Sequence, residues 1–138
     1  KVPPKLNDGT PFPTTYWLTC PMFNKKIGTL ESHGLIKDLD NEITNNPDLK
    51  KQWKSRQISY EQERENLEIN DSGPQASGGV GGAKKSIKCL HSHTADELST
   101  GQNVIGKIVI ESIGVFNCEE VCVNPETFEK NKDWKIIW

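Results

Sequence analysis

The sequence predicts a small, mainly α-helical domain with an extended, proline-rich arm at its amino terminus. Apolar side chains recur at helical spacing in several segments, and capping residues, prolines and glycines bound those segments. The first 13 residues contain four prolines, a density that excludes a regular helix there. We expect residues 1–112 to form one domain and residues 113–138 to form a carboxy-terminal extension.

The arm covers residues 1–18. Because proline fixes φ and removes an amide donor, the arm should be extended. Phe12, Tyr16 and Trp17 lie near its end, and we expect them to hold it against the domain, since clusters of exposed aromatic side chains are unusual on monomers. The alternative is a flexible tail.

Two short helices should follow the arm. The first is expected to have Thr19 as its cap, Pro21 in its first turn and Gly34 at its end. Residues 35–43 are expected to form the second. The apolar side chains of the first helix recur at helical spacing and predict one buried face: Met22, Phe23, Ile27 and Leu30.

The clearest helical pattern runs from Pro47 to about Ile69. Lysine, arginine and glutamate fill most of its faces, and we expect these charges to be solvated. Its apolar side chains fall on a near-heptad stripe: Leu49, Trp53, Tyr60 and Leu67.

A glycine-rich loop, residues 70–83, should separate that helix from the next one. The next helix is predicted to run from Lys84 to Ser99 and to be closed by Gly101. Residues 104–110 are apolar and β-branched. This pattern fits either a short β-strand or a buried helical turn, and periodicity does not separate the two.

The carboxy-terminal extension is mostly polar but ends in the apolar sequence WKIIW. Free termini seldom expose two tryptophans and two isoleucines, so we expect this tail to dock on its own domain or on another subunit. The arm and the tail are therefore the predicted contact surfaces for protein partners.

Composition and charge narrow the class of protein. Hydrophobic residues make up only 33%, which indicates long polar stretches or burial against partners. A net charge of −2 argues against specific nucleic-acid binding, and no run of about 18 apolar residues predicts a transmembrane helix. Four scattered cysteines do not suit a disulfide scaffold, so a soluble or peripheral protein in a reducing compartment, the cytoplasm or an organelle interior, is favoured.

The stretch GGVGGAKKSIKCLHSHTAD, residues 78–96, combines two chemical patterns. Its first part resembles a phosphate-binding loop, but Lys84 occupies the position of the second essential glycine, and no buried strand precedes the loop. A nucleotide-binding P-loop is therefore disfavoured. A weaker anion site at a helix amino terminus would use Lys84, Lys85 and Lys88, and solvated lysines on a flexible loop are the alternative.

The second pattern is a set of metal-ligand residue types. If residues 84–99 are helical, Cys89, His93 and Asp96 share one face, and His91 lies about 200° away from Cys89. Thiolate and imidazole are preferred ligands of zinc. We therefore expect a zinc site that takes further ligands from outside this segment.

Cys20 is the first candidate for an outside ligand, because it precedes a predicted helix whose amides favour a thiolate. His33 is the second candidate. The alternative is that Cys89 and the histidines simply pack in the core, where cysteine behaves as a small hydrophobe. Cys118 and Cys122 form a separate pair and are expected to be two thiols, and the alternatives are that they flank a metal or form a strained disulfide.

Several short blocks occur in an order that resembles the bacterial proteins grouped as domain of unknown function 501. They are DGTPFPTTYWLTCP, IGTLESHGLI, a glycine pair, KCLHSHTADEL and NVIGKIV, and they span about residues 4–110. The resemblance implies a shared fold and no established activity. The family pattern contains Cys20, Cys89, His91 and His93, which supports a Cys/His metal site. Helix geometry favours His93, whereas the family pattern does not choose between the histidines.

Three functional interpretations remain. The leading one is a small accessory or assembly protein with a zinc site. The second is a metal-dependent hydrolase or hydratase, although no catalytic base with defined spacing is present. The third is a metal-free structural subunit of a larger complex. The candidate ligands are Cys20, Cys89 and either His93 or His91, with Asp96, His33 or water in the fourth position.

Overall fold

The computed structural model describes residues 1–67, 73–114 and 117–136. Within these residues the chain forms five α-helices. A short 3₁₀ turn, Val80–Gly82, lies between the third and fourth helices. Within the described ranges, β pairing consists of two isolated bridges and forms no sheet, so the mainly α prediction is confirmed. The helices are α1 (Pro21–Ser32), α2 (Leu35–Asn45), α3 (Pro47–Glu65), α4 (Leu90–Thr100) and α5 (Val104–Ile113).

Local capping explains where α3 and α5 begin. The Asn46 side chain accepts hydrogen bonds from the amides of Asp48 and Leu49, both at 3.1 Å, and Pro47 occupies the first helical position. Asn103 caps α5 in the same way, accepting from the Gly106 amide at 2.9 Å. These contacts satisfy amide donors that a helix start otherwise leaves without partners.

Several predicted boundaries shift by a few residues. The residue before α1 is Cys20 rather than Thr19, and it makes no side-chain cap bond. The third helix ends at Glu65, and its predicted end at Ile69 lies outside the described residues. Such shifts are ordinary, because propensity falls off gradually at helix ends.

The start of α4 was predicted wrongly: the helix begins at Leu90 and not at Lys84. Two carboxylates from earlier helices explain the later start. Asp40 accepts from the Ile87 amide at 2.7 Å, and Glu31 accepts from the Leu90 amide at 2.8 Å. The two amides therefore donate to side-chain carboxylates instead of to the backbone carbonyl oxygens four residues earlier, as they would in a helix that began at Lys84.

The β-strand alternative for residues 104–110 is also wrong, because the segment belongs to α5. Ile105 and Val109 are four residues apart, lie on one helical face and are both fully buried. They join the central apolar cluster, which takes members from all five helices and from the segment before α4: Ile27, Leu39, Ile43, Leu49, Trp53, Ile87, Leu90, Ile105 and Val109.

Gly106 permits α4 and α5 to pack closely. A Cβ at this position would overlap the carbonyl oxygen of His93 and the Cβ of Glu97. We expect Gly106→Ala to lower the free energy of unfolding by about 1–3 kcal/mol, because the two helices must separate. Chemical denaturation measures this loss. Gly28→Ala is the matched control in α1, where nothing lies within 4 Å, and an equal loss there would contradict the explanation.

The amino-terminal arm doubles back on itself and contacts α3. The Val2 amide donates to the Thr15 carbonyl at 2.7 Å, and the Thr15 amide donates to the Tyr60 hydroxyl at 2.7 Å. Tyr16 packs edge-on against Tyr60, whereas Trp17 stays 60% exposed. The arm is therefore held against the domain by backbone hydrogen bonds and by Tyr16, whereas most of the Trp17 ring lies in solvent.

Charged side chains of α3 hold the described part of the glycine-rich loop, residues 73–83. Arg64 is 1% exposed and donates to the carbonyl oxygens of Pro13, Ala76, Gly78 and Gly79 at 2.7–3.5 Å. The expectation that the charges of this helix are all solvated is therefore wrong for Arg64, and it is also wrong for Arg56. The reason is that backbone carbonyls of a packed loop offer the acceptors that a buried guanidinium requires.

The described part of the tail, residues 117–136, is largely exposed. Cys118 and Trp134 line a pocket together with Met22 at the start of α1. The end of the WKIIW sequence lies outside the described residues. The division at residue 112 and docking of the tail on a partner stay predictions. Among the described residues, no helix has the length and apolar character that crossing a membrane requires.

Candidate metal centre

Three side chains of metal-binding type converge between α1 and α4. They are Glu31, Cys89 and His91, whose potential ligand atoms all lie within 4.8 Å of one another. Each residue is partly buried rather than fully exposed. A carboxylate, a thiol and an imidazole at this separation can share one ion.

The later start of α4 creates this arrangement. Cys89 is the extended residue before the helix, and His91 lies in its first turn. The Cys89 Sγ atom is consequently 3.9 Å from His91 Nδ1. Had Cys89 been helical, these side chains would have pointed to different sides of the helix.

Glu31 reaches the cluster from the last turn of α1. Its Oε1 atom accepts from the Leu90 amide at 2.8 Å and lies 3.4 Å from His91 Nδ1. A carboxylate at the amino terminus of a helix is stabilised by the partial positive charge there. The bond to Leu90 therefore holds the carboxylate beside the imidazole.

The other nitrogen of His91 decides which ring atom can bind an ion. Nε2 lies 3.2 Å from the carbonyl oxygen of Asn24, which can only accept, so Nε2 carries the proton in the neutral ring. The lone pair is then on Nδ1, the atom that faces Glu31 and Cys89. An outer hydrogen bond of this kind commonly orients a metal-binding histidine.

His93 and Asp96, predicted as ligands on the face of Cys89, lie in a different environment. Asp96 is fully buried, and its two oxygens accept from Arg56 Nε and Nη2 at 2.8 Å and from Asn103 Nδ2 at 2.8 Å. His93 is 1% exposed, and its Nδ1 lies 3.0 Å from Asn103 Oδ1. These side chains form a buried polar network that packs α3, α4 and α5 together.

Burial also determines the charge of His93. Removal from water lowers its pKa to about 4, although the bond to Asn103 and the nearby carboxylates of Asp96 and Asp40 oppose that change. The imidazole is therefore neutral at neutral pH. In the described structure its Nε2 atom is buried without a hydrogen-bond partner.

Cys20 and His33, the outside ligands that the sequence suggested, are not in the group of atoms that lie within 4.8 Å of one another. Cys20 precedes the first residue of α1 and is partly buried, and His33 is exposed at the other end of that helix. Sequence reasoning missed Glu31. The block IGTLESHGLI, which belongs to the family pattern, contains Glu31 and could have indicated it.

The lysines of the predicted anion site lie before α4 rather than inside its first turn. Lys84, Lys85 and Lys88 are exposed. Several amides in the described part of the loop already have partners. Gln57 accepts from the Val80 amide at 2.9 Å, Glu61 accepts from the Gly78 amide, and three further amides bond to carbonyl oxygens of the loop. Anion binding by these lysines stays a prediction.

A groove of about 510 Å³ opens beside the cluster. Cys89 and His91 line it together with residues of the amino-terminal arm. An ion held by the cluster would border this groove through two of its three protein ligands. The side chains from the arm and the first helix that line the groove are Phe12, Thr14, Tyr16, Trp17, Leu18 and Asn24.

The fold and the cluster define a small α-helical protein with a candidate Glu/Cys/His metal centre beside a groove. The chain belongs to the family described as "Protein of unknown function (DUF501)", whose family model matches residues 2–111. This match confirms the resemblance found in the sequence. No curated protein and no solved structure matches the chain significantly.

Proposed function

We propose that this protein is a small zinc-binding accessory protein whose ion is held by Glu31, Cys89 and His91. The observation that supports the proposal is the convergence of their ligand atoms within 4.8 Å. Three donors of three different types, one of them a thiol, suit zinc better than magnesium or calcium, which prefer oxygen. The fourth position is then filled by water or by an outside ligand.

An accessory role agrees with the limited apolar composition of the chain and with its exposed aromatic side chains. Trp17 and Phe128 are 60% and 81% exposed, one in the arm and one in the tail. Large exposed aromatic side chains commonly mark surfaces that contact other proteins. We therefore retain the arm and the tail as the proposed partner surfaces.

The test is zinc stoichiometry of the purified protein. We expect about one equivalent of zinc in the wild type, and Cys89→Ser should lower affinity by at least about tenfold, because the thiolate is the strongest donor for zinc in the set. Competition with a chromophoric chelator measures this affinity. Glu31→Gln and His91→Ala should weaken binding in the same direction.

Two control variants separate this site from the ligands suggested by the sequence. His33→Ala removes an exposed histidine, and Cys20→Ser removes the other thiol near α1. Zinc affinity should not change in either variant. If zinc affinity falls in Cys20→Ser but not in Glu31→Gln, the third ligand is Cys20 rather than Glu31. Wild-type protein that contains no zinc would refute the proposal.

The second candidate is a metal-dependent hydrolase or hydratase. Its support is that Cys89 and His91 line an open groove, so that the fourth position of an ion there could hold a water or a substrate. Hydrolysis of activated esters by the zinc-loaded protein, compared with Cys89→Ser, tests it. Equal rates in the two proteins would exclude a role of this centre in such hydrolysis.

The third candidate is a metal-free interaction subunit. The same geometry supports it, because the Leu90 amide donates to Glu31 at 2.8 Å and His91 Nε2 donates to the Asn24 carbonyl oxygen at 3.2 Å, so these side chains can join α1 to α4 without an ion. Wild-type protein that contains no zinc, together with a loss of stability in Glu31→Gln and His91→Ala, would favour this candidate over the first.

A further inference from the structure

The groove beside the candidate metal centre has an aromatic side. Phe12 and Trp17 both line it, and their rings stack with centroids 5.9 Å apart and planes inclined by 23°. Tyr16 and Leu18 extend the same apolar lining. Trp17 nevertheless remains 60% exposed, although burial of so large an aromatic ring usually stabilises a protein. The exposed ring is therefore available to a ligand.

The potential metal ligands Cys89 and His91 line the same groove. No lysine, arginine, aspartate or glutamate is among the described residues that line it. A highly charged ligand such as a nucleotide polyphosphate would therefore find no charged partner in the groove apart from an ion. The lining instead suits a neutral, flat body.

We infer that the groove binds a small molecule that combines a planar aromatic ring with one metal-binding head. The ring lies against Trp17 and Phe12, and the head occupies the open position of an ion held by Glu31, Cys89 and His91. The inference rests on the proposed function, because the head requires the ion. A volume of about 510 Å³ lies within the range of about 300–1,000 Å³ that small-molecule sites occupy.

The charges of the donor set limit the chemistry of the head. One thiolate and one carboxylate balance the two positive charges of zinc, and His91 adds a neutral donor. A neutral head or a head with a single negative charge is thus sufficient. Carboxylate, hydroxamate and thiolate groups meet this requirement.

The test uses two probes that share a head and differ in the ring. Protein loaded with Co²⁺, whose visible spectrum reports changes in ligation, is titrated with benzohydroxamate and with acetohydroxamate. We expect benzohydroxamate to bind about tenfold more tightly, because only its ring can contact the aromatic side of the groove. Trp17→Ala should abolish most of this preference, and Trp17→Phe should retain it.

Phe128→Ala is the matched control, since it removes an aromatic side chain that is 81% exposed in the tail. It should leave the preference unchanged. Equal affinity of the two probes for the Co²⁺-loaded wild type would overturn the inference while leaving the metal proposal intact. Failure of the wild type to bind Co²⁺ or zinc at all would overturn both, and the metal content of each sample, measured first, separates these outcomes.

Discussion

Arg56→Met is expected to lower the free energy of unfolding by about 3–5 kcal/mol, because it leaves the fully buried Asp96 carboxylate without its ionic partner. Arg56 is 4% exposed and donates to both oxygens of Asp96 at 2.8 Å. It also donates to Glu63 at 2.7 and 2.9 Å. These bonds raise the pKa of Arg56 even though burial opposes the charge. Urea denaturation at neutral pH measures the loss.

The double variant Arg56→Met/Asp96→Leu separates the net contribution of the ion pair to the free energy of unfolding from the cost of leaving one buried charge unpaired. Replacing both charges by apolar groups should recover more than half of the loss, because no unpaired charge then remains buried. Glu63→Gln is the control on the exposed side of Arg56. The Glu63 side chain is 44% exposed, so Glu63→Gln should lower the free energy of unfolding by less than about 1 kcal/mol. A double variant less stable than Arg56→Met would contradict this account.

Arg64→Met should cost about 3 kcal/mol, because it removes one guanidinium that satisfies carbonyl oxygens of both the arm and the glycine-rich loop. Its Nη1 atom donates to Pro13, and its Nη2 atom donates to Gly78 and Ala76. We also expect the loop to open locally before the helices unfold. Hydrogen exchange at the Val80 amide and limited proteolysis of residues 73–83 report this opening.

Lys54→Met is the matched control for Arg64→Met, since it removes an exposed positive charge from the same helix. It should change stability by less than about 0.5 kcal/mol. Arg64→Lys should recover little, because one ammonium group cannot reach carbonyls on both sides as the planar guanidinium does. Full stability of Arg64→Lys would show that charge alone, rather than the geometry of the donors, holds the loop.

Local patterns were enough to predict α1 to α4, whereas residues 104–110 fitted either a strand or a helical turn. Asn46, Pro47 and Asp48 lie next to each other in the chain and define the start of α3 by themselves, and Gly101 ends α4 with a positive φ as expected. The apolar spacing also predicted part of the core, including Ile27, Leu49 and Trp53, whereas Leu67 of the predicted stripe is 41% exposed. Helix formation depends on hydrogen bonds between residues that are close in sequence, so it can be inferred from a short window.

The burial of charges could not be predicted in this way. Arg56 and Asp96 are 40 residues apart, and the charged residues of α3 look alike in the sequence. Whether a charge is solvated or buried depends on which element packs over it. The charged pattern of a helix alone does not contain that information.

By itself, the sequence determined the helical class, the family, and the presence of Cys89 and His91 in one short segment. Only the tertiary structure decided that Glu31 joins them and that His93 and Asp96 turn towards another network. The Leu90 amide bonds to Glu31, 59 residues earlier, and the Ile87 amide bonds to Asp40, 47 residues earlier. These distant carboxylates accompany the later start of α4, which leaves Cys89 outside the helix and changes which side chains can meet. Local propensity cannot specify a boundary that partners from other helices stabilise.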